Sequence, residues 1–442
     1  MLLWCHTLNQ CAAKSILLLP SHARRGAIPI NQAHFFVFIS SFPVILPGLN
    51  LHIADGFRLS EEESVGMTMN VKSMRAVGVI PSRRELALLA HPEPRLAEPR
   101  QLKIRTLEVG ICGTDREICS FAYGTPPDGS EYLVLGHEAL GEVTEVGPGV
   151  TQFRTGDLVV PTVRRPCPHS HCPSCQEARQ DFCFTGDFTE RGIKMTHGYM
   201  TEFFVEAEEH LNLVPRELRD VAVLVEPLTV AEKALTQVWQ VQQRLPWNGA
   251  DQGRGRGHGK TAVVLGAGPV GILGAMTFVV NGFKTFVYSR SPAPNLKAEL
   301  VEAIGATYIS SAKVGLAEFA AQVGSIDVVY EALGTADISF DVMKVLGLNG
   351  VFVFTGIPPH KPAIPITADS LMRDLVLKNQ VIIGTVNADR AAFESAIRDL
   401  GEFKRRWPDA LRRVITGRHP LESYRELLLG KAAGIKNVIS LG

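Results

Sequence analysis

The spacing of apolar and polar positions changes character along the chain, and each change marks a segment with its own architecture. MRAVGVIP, opening at Met74, predicts a short strand, and LKIRTLEVGICGTD predicts a strand entering a loop at Gly110. Strand-like runs separated by turn residues continue through VLGHEALGEVTEVG, GDLVVPTV and MTEFFVEAEEHLNLVP, so this part reads as β-rich and barrel-like. After Pro215 the apolar residues of LRDVAVLVEPLTVAEKALTQVWQVQQRL fall three and four apart, predicting helix until Pro246. A polar, Gly-rich stretch from Asn248 to Lys260 follows. Its Arg254, Arg256, His258 and Lys260 are read as a solvated loop in preference to a phosphate site. From Thr261 strands (TAVVLG, FKTFVYS, IDVVYEAL, GVFVFTG, QVIIGTV) alternate with helical stretches, the pattern of a doubly wound parallel sheet. Amphipathic AAFESAIRDLGEF and LESYRELLLG then return to helix before a closing strand at KNVISL.

Residues 1–73 differ from the rest. No Asp or Glu precedes Asp55, and apolar runs such as HFFVFISSFPVIL are broken by proline. The longest span, about Ala33 to Leu49, falls short of the ~20 apolar residues a membrane helix requires and carries Pro43 and Pro47, which argues against an anchor. Arg24 and Arg25 leave a transit peptide as one alternative. The favoured reading is an upstream start, with Met67, Met69 or Met74 as the true beginning. Lys plus Arg and Asp plus Glu each total 45 of 442 residues, so no net charge draws the chain to nucleic acid or an anionic membrane. Four of the eight cysteines crowd into Cys167 to Cys183, which points to metal rather than a disulfide scaffold and to a reducing, cytoplasmic setting.

The chemistry concentrates in three places. TAVVLGAGPVGILG sets Gly266, Gly268 and Gly271, with Pro269 and Val270 between the last two, where an apolar strand meets an apolar helix. Glycines there permit a tight turn and close approach of backbone to pyrophosphate, whose charge the helix N-terminus favours. The next strand ends in Ser289 and Arg290 instead of the carboxylate that would bind the NAD ribose, so NADP is favoured and NAD is the alternative. In CPHSHCPSCQEARQDFC four, two and seven residues separate Cys167, Cys172, Cys175 and Cys183. Such a closed thiolate set suits structural zinc, with an iron-sulfur cluster as competitor and His169 and His171 as exposed loop residues. Upstream, Cys112 of CGTD and His137 and Glu138 of GHE are the ligand types of a catalytic zinc with one position open.

In order and spacing, CGTD, GHE, the four-cysteine lobe and GAGPVG resemble the zinc-dependent medium-chain dehydrogenase family from residue 74 to 442. PTVRRPC, ARQDFC, TGDFTERGI, HGYMTEF and EPLTVAEKAL resemble its glucose dehydrogenase subgroup. The resemblance implies an α/β fold: a GroES-like catalytic domain over 74–232 with the lobe at 167–183, a Rossmann domain over 233–384, and a return to the catalytic domain over 385–442. It implies that Cys112, His137 and Glu138 surround the catalytic zinc, with Glu226 at the metal and substrate edge, and that Thr114 hydrogen-bonds the reacting hydroxyl. Glu190 and Asn387 would bind sugar hydroxyls. Thr355, Gly356 and Ile357, with Thr385 and Val386, would lie along the cofactor. Implied too are two zincs, oxidation of glucose or another aldose to its lactone, and a homodimer or homotetramer. The chain departs from the pattern in the four-residue spacing of Cys167 and Cys172, and in Val163 and Val230, where some relatives carry polar residues. Another polyol or alcohol dehydrogenase, or a non-catalytic NADPH-binding protein, is the competing reading.

Overall fold

The computed structural model describes residues 72–246, 256–358, 362–431 and 433–442. The segment before residue 72 and Arg254 of the Gly-rich loop therefore lie outside the described residues. The first half is built around the strand Gln101–Gly110, which pairs antiparallel with Glu138–Val146, Phe203–Ala207 and Lys436–Ser440. These belong to a seven-stranded sheet completed by Leu158–Pro161, Leu211–Val214 and Ile415–Pro420. Ser73–Ile80 is flanked by Glu85–Pro92 and Leu133–Val134 in a three-stranded sheet, and Arg164–Arg165, Thr189–Arg191 and Met195–Thr196 form another.

The second half is a six-stranded parallel sheet. Its strands, Thr261–Leu265, Lys284–Ser289, Thr307–Ser310, Val328–Glu331, Val351–Phe354 and Val381–Gly384, lie in the order 3-2-1-4-5-6. That order reverses beside the first strand, where a dinucleotide-binding crevice opens at the carboxyl ends. Thr261–Leu265 is almost wholly buried because helices cover both faces of such a sheet. One apolar cluster runs from Ile104 and Val109 of the first sheet through Leu228 to Val264 of the second and Ile272 of the helix that follows it, and a smaller one around Phe319 and Phe352 fills the far face.

Three local differences from the sequence pattern have physical causes. The helix after Pro215 begins only at Val225, after short 3-10 turns at Arg216–Leu218 and Ala222–Leu224, and runs to Gln242. Pro227 lacks an N–H and fits without loss only in a first helical turn, so it holds the start there. Thr307–Ser310 and Ile415–Pro420 are strands that periodicity does not reveal. The first is four residues long, and ITGRHP is half polar because each is an edge strand paired on one side only. The expected boundary between residues 232 and 233 falls inside this linking helix Val225–Gln242, whose Glu232 and Lys233 are both buried. Among the described residues no helix is long and apolar enough to cross a membrane.

Candidate active site and metal centres

Pairing of the central strands brings the first metal-type donors together. Gly110 is the cross-strand partner of Glu138, so Cys112, two residues on, arrives beside the His137–Glu138 pair. The Cys112, His137 and Glu138 donor atoms all lie within 4.8 Å of one another. A Cβ at Gly110 would stand 2.1 Å from Glu138 Oε2, so only glycine leaves that carboxylate room. Asp115, fully buried in the first turn of Gly113–Cys119, accepts hydrogen bonds from Cys112 N at 2.9 Å and Gly136 N at 3.3 Å. Its Oδ1 also faces His137 Nδ1 at 3.4 Å. This arrangement presents the other imidazole nitrogen to a metal, as an outer carboxylate does for a ligating histidine. Burial opposes a charged His137, but the Asp115 and Cys112 charges outweigh it and hold its pKa well above the ordinary value.

Two further carboxyl-facing groups complete this centre. Glu226, in the first turn of the linking helix, is pushed up to about 7 by burial and then by the neighbouring Glu138 charge. Lys436, buried on the closing strand, contacts Glu138 Oε2 and donates to Ile111 O at 3.0 Å. A thiol, an imidazole and carboxylates in a buried, partly charge-compensated pocket fit a zinc ion with an open position. Lys436 does not stand out in the sequence, and Asp115 enters it as the last residue of CGTD with no role assigned. The aspartate's only local signal is its place three residues after Cys112, where it closes a capping box.

A cleft of about 430 Å³ opens from these donors. It is lined by Cys112, Thr114, His137, Glu138, Glu190, Glu226 and Asn387, and by Val270, Thr355, Gly356, Ile357, Thr385 and Val386. Val163 and Val230 line it too, with Tyr123, which the sequence pattern does not single out. Gly266 and Gly268 lie in the turn between Thr261–Leu265 and the helix Pro269–Val280, Pro269 and Gly271 lie in that helix's first turn, and Ser289 ends the neighbouring strand with exposed Arg290 next. Gly266 has φ +101°, and a Cβ on Gly271 would lie 2.2 Å from Gly266 O. Around Gly268, by contrast, a Cβ would meet nothing within 4 Å. That vacant approach, at a helix N-terminus without a side-chain cap, fits a pyrophosphate. Glu331 secures the opposite lip: its carboxylate accepts from Leu333 N and Gly334 N at 2.7 Å each and from Gly356 N at 3.0 Å.

The four-cysteine lobe is a second centre. Cys167, Cys172, Cys175 and Cys183 place their sulfurs within 4.8 Å of one another, so the wider first spacing still delivers Cys167 to the cluster. Tetrahedral zinc-thiolate geometry requires sulfurs about 3.8 Å apart, and Cys172 Sγ and Cys183 Sγ stand at 4.0 Å. Backbone N–H groups of Cys167 and Phe184 point at Cys175 Sγ and Cys172 Sγ at 3.5 and 3.4 Å, donors that favour thiolate. His169 pairs with Asp187 at 2.6 Å and takes no part in the set.

Residues 98–216 match the model of the alcohol dehydrogenase GroES-like domain, and residues 219–441 match that of the glucose dehydrogenase C-terminus. The chain is 37% identical to a glucose 1-dehydrogenase of Methanocella arvoryzae over 84% of its length and 100% of the relative. It is 40% identical to one of Thermoproteus tenax over 83% of its length and 99% of the relative. Among solved structures it resembles Haloferax mediterranei glucose dehydrogenase in complex with NADP, Zn and gluconolactone, with TM-score 0.74 and 31% identity over 84% of this chain and 99% of that one.

Proposed function

From the premise that the chain belongs to the glucose dehydrogenases of the zinc-dependent medium-chain family, we propose that it oxidises D-glucose with NADP to the aldonolactone. The observation that carries this reading is a single cleft of about 430 Å³ lined by the Cys112, His137 and Glu138 donors together with Thr355, Gly356 and Ile357. Zinc held by Cys112, His137 and the carboxylates of Glu138 and Glu226 would supply Lewis-acid lowering of a hydroxyl pKa. The Thr114 hydroxyl, inside the cleft, can accept a hydrogen bond from the sugar C1 hydroxyl and relay its proton on to water, since a hydroxyl accepts and donates at once. NADP, held with its pyrophosphate at the glycine turn and its nicotinamide by the Thr355–Ile357 lip, would take the C1 hydrogen as hydride once that proton has left.

Glu190 and Asn387 meet at 2.7 Å in the cleft and offer a hydrogen-bonding surface to the remaining hydroxyls. Val163 and Val230 present an apolar wall, so selectivity among sugars rests on Glu190 and Asn387 more than on those two positions. Ser289 and Arg290 place no carboxylate against a 2′-phosphate, which supports NADP over NAD. The lobe would hold a second, structural zinc. Exposed Met372, Val376 and Leu377, followed by Ile382 on the sheet's edge strand, support self-association as a homodimer or homotetramer. A cytoplasmic location suits the free cysteines at Cys112, Cys119, Cys167, Cys172, Cys175 and Cys183.

The test is a panel of aldoses, linear polyols and primary alcohols with NADP and with NAD, comparing kcat/KM. Glucose with NADP should lead. A linear polyol or primary alcohol well ahead of glucose, galactose and xylose would overturn the substrate assignment.

A further inference from the structure

Glu190 sits opposite Arg164 in the small sheet, as its cross-strand partner. Its Oε1 accepts from Arg164 Nε at 3.0 Å and from Asn387 Nδ2 at 2.7 Å, and it lies 3.0 Å from Arg164 Nη2. Three donors on one oxygen leave Oε2 as the acceptor for a sugar hydroxyl. The Arg164 and Glu190 side chains are each 7% exposed, and the guanidinium carbon stands over the Phe188 ring, 3.6 Å from its centre, so this carboxylate has little freedom to turn. The remaining arm of Arg164 leads away from the cleft: Nη1 donates to Asp181 O at 3.1 Å and Gln180 O at 3.4 Å. Those two residues precede Cys183, the last cysteine of the lobe.

A second connection starts from the same turn. The Asp181 carboxylate is fully buried, and it accepts from Arg179 Nε and Nη2 and pairs with Lys233 Nζ at 2.9 Å. Lys233 in turn donates to Val386 O at 2.9 Å, and Arg179 pairs with Asp389 at 3.1 Å. The loop from Thr385 to Asp389, which carries Val386 and Asn387 into the cleft, is thus tied at two points to the turn ending at Cys183.

We infer that Arg164 and Asp181 are positioning residues through which the four-cysteine lobe sets the geometry of the sugar-facing Glu190–Asn387 wall. The lobe then acts on sugar affinity as well as on stability. A buried Arg fork bonded on both sides transmits position because neither partner can move without breaking desolvated, charge-assisted hydrogen bonds. The inference rests on the sugar reading of the cleft, and its test separates the two.

The test uses the full chain loaded with zinc and two variants. Arg164→Lys keeps the charge but cannot span from Glu190 to the Gln180 and Asp181 carbonyls. Asp181→Asn keeps the size but loses the charge that holds Lys233 and Arg179. Both should raise KM for glucose about tenfold while kcat stays within about threefold, and Arg164→Lys should leave KM for NADP within about twofold. Hydrogen exchange should quicken in peptides covering 189–191 and 385–389, leaving the parallel sheet unaffected. An unchanged glucose KM in both variants, unchanged exchange in those peptides, or faster exchange throughout the catalytic half would each overturn the inference. A wild-type enzyme inactive on glucose would refute the substrate reading, and the exchange data would still decide the struts.

Discussion

Gly268 and Gly271 occupy one turn but are required for opposite reasons. A methyl group at Gly268 would point into empty space, whereas one at Gly271 would press within 2.2 Å of the Gly266 carbonyl. Gly268→Ala should therefore leave the unfolding temperature within about 2 °C of wild type and raise KM for NADP about tenfold, because only the bound pyrophosphate needs that space. Gly271→Ala should lower the unfolding temperature by about 4 °C or more, read by differential scanning fluorimetry, since the helix must back away from its turn. The two results reversed would contradict the geometry. At exposed Arg290 the expected change is in cofactor choice: Arg290→Ala should raise KM for NADP about tenfold and leave KM for NAD within about twofold. Equal effects on both would remove Arg290 from the phosphate. The glycine turn is legible in the sequence because it depends on neighbours a few residues away, and Arg290 stands out by its place after a strand end. The bonding roles of Arg164 and Lys436 are not: Arg164 reaches the Gln180 and Asp181 carbonyls, and Lys436 reaches Ile111 across 325 residues.

The linking helix Val225–Gln242 and the helix Arg390–Arg406 pack together, and their contact carries an unusual acid pair. Glu232, buried, accepts from Thr277 Oγ1 at 3.0 Å and is pushed up to about 8 by burial and then by the Asp399 charge. Asp399 is raised as well, first by its own burial. A carboxyl whose folded pKa lies above its unfolded value near 4.3 favours the folded state most below that value. The benefit fades as pH rises toward 8, where the folded protein must ionise the group or keep paying to hold its proton. Glu232→Gln keeps the acceptor for Thr277 and removes the ionisation. Its unfolding temperature should exceed that of wild type by about 3 °C or more at pH 9 and approach it near pH 5. A difference that does not vary with pH would show that this pair does not titrate in the range. Neither helix alone discloses the pair, because an acid every few residues on an amphipathic helix ordinarily faces water.

On the scale of the whole molecule, the edge of the parallel sheet is where self-association is expected. Val376, 74% exposed on the helix Ala368–Leu377, lies within the apolar strip that precedes the edge strand Val381–Gly384. Val376→Asp should shift the assembly toward monomer in light scattering behind size exclusion, with the circular dichroism spectrum preserved. An unchanged assembly size would place the interface elsewhere.

Sequence alone determined the two halves, the glycine turn, the thiolate lobe and the Cys112, His137 and Glu138 donor set. Each is specified by periodicity, or by residue type at short spacing, and a few bonds of backbone geometry carry such signals. Tertiary structure alone decided that the lobe's last turn bonds the Arg164 that holds Glu190, that Lys436 meets Glu138, and that Glu331 ties Leu333, Gly334 and Gly356 together. Those roles arise from buried polar groups that find partners only when distant segments close over them and exclude water. The cost of leaving any of them unpaired is what makes the closed arrangement specific.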